Sequence, residues 1–125
     1  MNNPSALIIE DDKDVAELYG RVLESLGFAF EIMRTGEAAL AWLTASVPDV
    51  VLLDLHLPSH VSGTDVLHHI RADQRLAETR VIVVTGYPDL AETVRDEADL
   101  VLLKPVDVSQ LSDLVARMRP RDRGD

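Results

Sequence analysis

Four short runs of aliphatic residues punctuate this chain, and each stops on a polar side chain. Leu7-Ile8-Ile9 stops on Glu10-Asp11-Asp12, and Val50-Val51-Leu52-Leu53 stops on Asp54. Val81-Ile82-Val83-Val84 stops on Thr85, and Leu100-Val101-Leu102-Leu103 stops on Lys104. Runs this short, with no polar alternation, suit strands covered on both faces of a parallel sheet. Parallel neighbours need long crossovers, usually helical, and the intervals supply them. Val15, Leu18, Tyr19, Val22, Leu23 and Leu26 recur at helical spacing until Gly27. Phe28 to Met33 reads as a further strand. Thr35-Gly36 turns into a helix carrying Ala39, Leu40, Leu43 and Val47, which ends before Pro48. A loop from Leu55 to Ser62 leads into a helix from about Gly63 with Val66, Leu67 and Ile70. Leu90 and Val94 mark a short helical stretch. Asp107 and Gln110 are spaced as a capping box for a last helix with Val108, Leu111, Leu114, Val115 and Met118.

The order is therefore βαβαβαβαβα, an α/β fold with right-handed crossovers and helices on both faces of one parallel sheet. Five strands fit the flavodoxin-like, doubly wound order 2-1-3-4-5, whose switch point lies between the first and third strands. Parallel strands end on one edge, so the polar stops converge there. One domain is expected over residues 1–125, with its core at about 6–118 and a tail or linker at 119–125.

The formal net charge of −10 disfavours nonspecific nucleic-acid binding. Arg117, Arg119, Arg121 and Arg123 crowd the end without aromatic neighbours and read as a solvated tail. No cysteine is present, which removes disulfides, thiolate zinc sites and thiol nucleophiles. The first residues lack the pattern of a signal peptide, and no apolar run approaches the ~20 residues of a membrane span. A soluble cytoplasmic protein with no membrane partner is the expectation.

Glu10, Asp11 and Asp54 should flank the switch-point crevice. Carboxylates gathered there either raise one another's pKa values or bind a cation. Hard oxygen donors suit Mg2+, and a carboxylate beside Mg2+ can act as a nucleophile toward phosphorus. Phosphoryl transfer needs positioning and neutralisation of the phosphoryl oxygens more than covalent help. Mg2+, Lys104 and the Thr85 hydroxyl could supply that, and Asp54, alone at the end of the central strand, is the best nucleophile.

With these pieces in order, the chain resembles the receiver domain of two-component response regulators. The resemblance covers about Ala6 to Met118. It rests on Leu7 to Asp12, Val51 to Pro58 with Gly63 beyond, Val83-Val84-Thr85-Gly86, and Leu103-Lys104-Pro105. It implies that Asp54 accepts a phosphoryl group from a phosphohistidine of a histidine kinase or histidine phosphotransfer domain. It also implies that Glu10 and Asp11 serve Mg2+, Asp11 directly and Glu10 largely through water, and that the backbone carbonyl of His56 completes the protein ligands. Thr85 would hydrogen-bond the phosphoryl group and Lys104 would pair with it. Gly86 would leave room, Lys104–Pro105 would be cis, and His56 and Tyr87 would tune dephosphorylation. The implied protein is a signalling switch, catalysing only its own phosphorylation and dephosphorylation. Its output partner is not readable, and a homodimer stays open.

The chain also departs from the family's pattern. Receivers commonly carry Tyr or Phe three residues before the lysine, where this chain has Val101. The segment from Thr85 to Lys104 is about three residues short, which predicts a short or distorted fourth helix, and the loop Ser59 to Ser62 is about one residue long.

Simpler readings compete. Asp12 suits a helix start better than a metal site. His56 and His60 lie four apart but are separated by Pro58, and His68 and His69 point to different helix faces, so a histidine metal site is disfavoured. Packing explains Trp42 better than recognition. A haloacid-dehalogenase-like phosphatase would want an acid where His56 stands, and a flavodoxin's phosphate would be repelled by Glu10-Asp11-Asp12. A non-phosphorylated interaction module on the same fold remains as the alternative that Val101 favours.

Overall fold

The computed structural model describes residues 3–120. Arg121 and Arg123 of the expected tail lie outside them. The strands are β1 (Ser5–Ile9), β2 (Ala29–Met33), β3 (Val50–Asp54), β4 (Arg80–Thr85) and β5 (Leu100–Leu103). The helices are α1 (Lys13–Ser25), α2 (Gly36–Leu43), α3 (Gly63–Ala72), α4 (Pro88–Val94) and α5 (Val108–Arg117). A single 3-10 turn, Gln74–Leu76, follows α3. All pairings are parallel and the sheet order is β2-β1-β3-β4-β5.

Alternation along the central strands splits the interior in two. Leu7, Ile9, Val51, Leu53, Val81 and Val83 face one way and pack with residues of α2, α3 and α4. Ala6, Ile8, Val50, Leu52, Ile82 and Val84 face the other way and pack with α1 and α5. Trp42 packs against the first of these cores, in keeping with a structural role.

The edges behave differently from the centre. β5 has one neighbour only, so its run is half-buried and Leu103 is 47% exposed, not covered on both faces as the aliphatic run suggested. Three helical stripe residues are also less buried than their spacing predicts. Leu18 and Val108 are exposed at 38% and 40%. Val47, 53% exposed, is not in a helix. Helix α2 stops at Thr44, whose hydroxyl donates to the Ala41 carbonyl, while Arg75 Nη2 donates to the Leu43 carbonyl. Those donors satisfy carbonyls that a longer helix would have used. At α5, Asp107 accepts from the Gln110 N–H at 2.9 Å, which is one half of the expected box. The reciprocal box caps α3 instead, between Ser62 and Asp65. Helix α4 has seven residues, in line with the short segment.

Where the strands begin, side chains tie the edge together. Asp49 accepts the Ser5 N–H at 2.8 Å and Asp99 accepts the Val81 N–H at 2.7 Å. Arg71, from the end of α3, donates to the carbonyls of Glu97 and Thr79 and to Asp99 Oδ2. The chemistry-bearing residues stand at the opposite edge.

Candidate functional site

Register brings the polar strand ends together. β1 pairs with β3 so that Ile9 lies beside Leu53, which sets Glu10 next to Asp54. β4 and β5 align Thr85 with Leu103, which sets Lys104 one residue beyond. One oxygen from each of Glu10, Asp11 and Asp54 lies within 4.8 Å of the others. This is the one such cluster of potential metal ligands among the described residues, and no histidine belongs to it. Asp12 stays apart as the N-cap of α1, accepting from the N–H groups of Asp14 and Val15.

Lys104 Nζ donates to Glu10 Oε1 at 3.0 Å and to Asp54 Oδ2 at 3.2 Å. Glu10 is 1% exposed and Asp54 5%, so these charges are held where water screens them little. Asp54 Oδ1 accepts the His56 N–H at 2.9 Å, which keeps the His56 backbone beside the carboxylate. Thr85 is fully buried, and its hydroxyl accepts the Tyr87 N–H at 3.1 Å. The Thr85 carbonyl accepts the Lys104 N–H at 2.8 Å, which locks the ends of β4 and β5. The Lys104–Pro105 bond is cis. The His56 and Tyr87 rings meet at the mouth, tilted by 40° with centroids 5.1 Å apart. A Cβ at Gly86 would meet nothing within 4 Å, so the space beside Thr85 is open. Val101 is half-buried against the core behind the site.

Burial pushes the Glu10 carboxyl up to about 7 from an ordinary 4.5; the Asp12 N–H and Lys104 oppose that rise and the charge of Asp54 adds to it. Burial works against the Lys104 ammonium, yet its bond to Glu10 and the charge of Asp54 outweigh it and the pKa rises. The Tyr19 phenol of α1 is pushed up to about 12, mainly by burial, and lies close enough to feel Lys104, Glu10 and Asp54.

A pH dependence follows. Between pH 4.5 and about 7 the folded chain holds a proton on Glu10 that the unfolded chain has lost. Stability from this group is therefore fully present below 4.5 and is lost as pH rises through about 7. Urea denaturation in EDTA should show stability falling over that window, and Glu10→Gln should flatten the fall. A wild-type profile that rises there, unchanged by Glu10→Gln, would contradict the assignment.

The donor set of this cluster is all hard oxygen, partly buried and anionic, which fits Mg2+ better than a softer ion. The residues that sequence reasoning named for the site do converge. It missed Arg34, whose guanidinium reaches the Asp11 carbonyl. The signal was present, since Phe28 to Met33 is another strand that ends on a polar residue.

Comparison with known proteins gives a consistent picture. Residues 6–116 match the family described as "Response regulator receiver domain". The chain is 34% identical over 107 residues to the regulatory protein LuxO of Vibrio vulnificus, covering 83% of this chain and 23% of LuxO. It is 34% identical over 117 residues to the DNA-binding response regulator MtrA of Mycobacterium tuberculosis, covering 94% of this chain and 50% of MtrA. It thus spans half or less of these relatives. Among solved structures, the signal receiver domain of a putative LuxO repressor protein from Vibrio parahaemolyticus superposes with a TM-score of 0.83 at 32% identity. That match covers 94% of this chain and 90% of the other.

Proposed function

This chain belongs to the response regulator receiver domain family of two-component signalling, and from that premise we propose that it is a phosphoacceptor switch acting through Asp54. The observation that carries the reading is Lys104 Nζ bridging Asp54 and Glu10 beside buried Thr85. The donor is a phosphohistidine on a histidine kinase or histidine phosphotransfer domain. A bond forms between an Asp54 carboxylate oxygen and phosphorus, the phosphorus–nitrogen bond breaks, and its electron pair returns to the imidazole.

Glu10, Asp11, Asp54 and the His56 carbonyl would hold Mg2+, which neutralises charge on the phosphoryl oxygens. Lys104 adds a fixed positive charge at the same place. The Thr85 hydroxyl, now accepting from Tyr87, turns to donate to a phosphoryl oxygen. His56 and Tyr87 stand at the mouth and govern how water reaches the acyl phosphate. The chain turns over its own phosphoryl group and no separate substrate. It works in the cytoplasm as one receiver domain, and its altered face is read by an output partner. Val101 offers no ring to swing inward, so that reading takes another route than the common one.

Incubation with Mg2+ and acetyl phosphate is expected to add one labile phosphoryl group, seen by intact mass, and EDTA is expected to prevent it. No adduct with any small phosphodonor would overturn the proposal and favour the non-phosphorylated module. Sustained hydrolysis of varied phosphate esters would overturn it in favour of a phosphatase.

A further inference from the structure

Arg34 is the first residue beyond β2, and the pairing of Ile9 with Met33 places it beside the loop that joins β1 to α1. Its Nε and Nη2 both donate to the Asp11 carbonyl oxygen, at 3.2 and 2.8 Å. That carbonyl precedes the cap of α1, so the helix's own N–H groups do not serve it; the first helical bond goes to the Asp12 carbonyl. The same peptide unit carries the Asp12 N–H, which donates to Glu10 Oε2 at 3.1 Å. A peptide is planar, with its C=O and N–H on opposite sides. Arg34 and Glu10 therefore grip the two sides of one plane. A guanidinium on the oxygen polarises the amide and strengthens the bond that its N–H gives to a carboxylate. Glu10 is thus held at both oxygens, at Oε1 by Lys104 directly and at Oε2 by Arg34 through the peptide.

We propose that Arg34 is a positioning residue for the acidic pair: by clamping the Asp11–Asp12 peptide it aims the Glu10 and Asp11 carboxylates at a divalent cation. This rests on the reading of the site as a Mg2+ site. The sign of the effect separates positioning from simple charge. Arg34 is an exposed cation close to the cluster. Through charge alone its removal would tighten Mg2+ binding, whereas loss of a positioning partner weakens it.

The test titrates Mg2+ into the full chain by calorimetry and by amide NMR, for wild type, Arg34→Gln and Arg34→Lys. Arg34→Gln is expected to raise the Mg2+ Kd about tenfold, the lower end for loss of a supporting partner. Arg34→Lys, with one donor in place of the fork, should fall between. Without metal, the Asp12 amide proton should move upfield in Arg34→Gln, while melting in EDTA stays unchanged. Equal or tighter Mg2+ binding in Arg34→Gln, or an unmoved Asp12 amide, would overturn the inference. So would an affinity loss that merely follows a lower melting temperature. Wild type failing to take up Mg2+ would instead refute the metal site itself, and the aiming role with it.

Discussion

Asp54→Ala is expected to abolish phosphoryl uptake. Wild type treated with Mg2+ and acetyl phosphate to saturation should show one adduct, and Asp54→Ala should show none by intact mass under the same conditions. The expectation comes from how the strand end is built. Asp54 ends the central strand β3, its Oδ1 accepting the His56 N–H and its Oδ2 accepting from Lys104. Glu10 is held in the same way, by Lys104 and the Asp12 N–H, but it is 1% exposed against 5% for Asp54, so Asp54 is the carboxylate more open to a phosphodonor. Folding should survive. The substitution leaves the His56 N–H without its acceptor, a loss of about 1 kcal/mol, but it also removes a negative charge from beside Glu10. Asp54→Asn keeps an acceptor for that N–H and serves as the second variant. An adduct that persists in either, mapped to Asp11 or elsewhere, would remove Asp54 from the proposed role.

The largest expected loss of stability lies at Gly63. A Cβ there would stand 2.2 Å from the Asp54 carbonyl oxygen and 2.4 Å from the Leu55 Cα, both of them backbone atoms. No side chain can turn away to make room. Gly63 also donates its N–H to the Leu55 carbonyl at 3.1 Å, so α3 starts directly against the end of β3. Gly63→Ala must push the helix start and the Asp54 strand end apart. About 3 kcal/mol, the upper end for overpacking, is expected from urea denaturation, together with slower phosphoryl uptake because Asp54 moves. A change within about 0.5 kcal/mol, the scatter of surface substitutions, would mean that the two backbones are less tightly apposed.

Much of this was legible in the residues, and the reasons are physical. Central parallel strands are apolar on both faces, so Leu7 to Ile9, Val50 to Leu53 and Val81 to Val84 announce themselves without context. Once they are strands, shared direction alone brings Glu10, Asp54, Thr85 and Lys104 to one edge. The edge strands were harder. The run of β5 is as aliphatic as those of the centre, yet Leu103 faces solvent because only β4 lies beside it. Helix ends were harder still, since α2 stops where Arg75, distant in sequence, meets the Leu43 carbonyl. Arg34 was missed for a similar reason. Its place at a strand end was visible, but its partner is a backbone carbonyl, which carries no signature in a sequence and which strand register discloses.

The division between the two sheet edges has a consequence for how such a chain can change over generations. At the edge where the strands begin, Asp49, Asp99 and Arg71 seal backbone groups that nothing else would satisfy. Substitution there removes an anchor and costs stability directly. At the other edge, stability is already forfeited, because a buried Glu10 is unfavourable when ionised. The residues that ring that edge, His56, Gly86 and Tyr87, hold no strand in register. They can vary at little thermodynamic risk, so the mouth of the proposed site can change while the scaffold keeps its margin against unfolding.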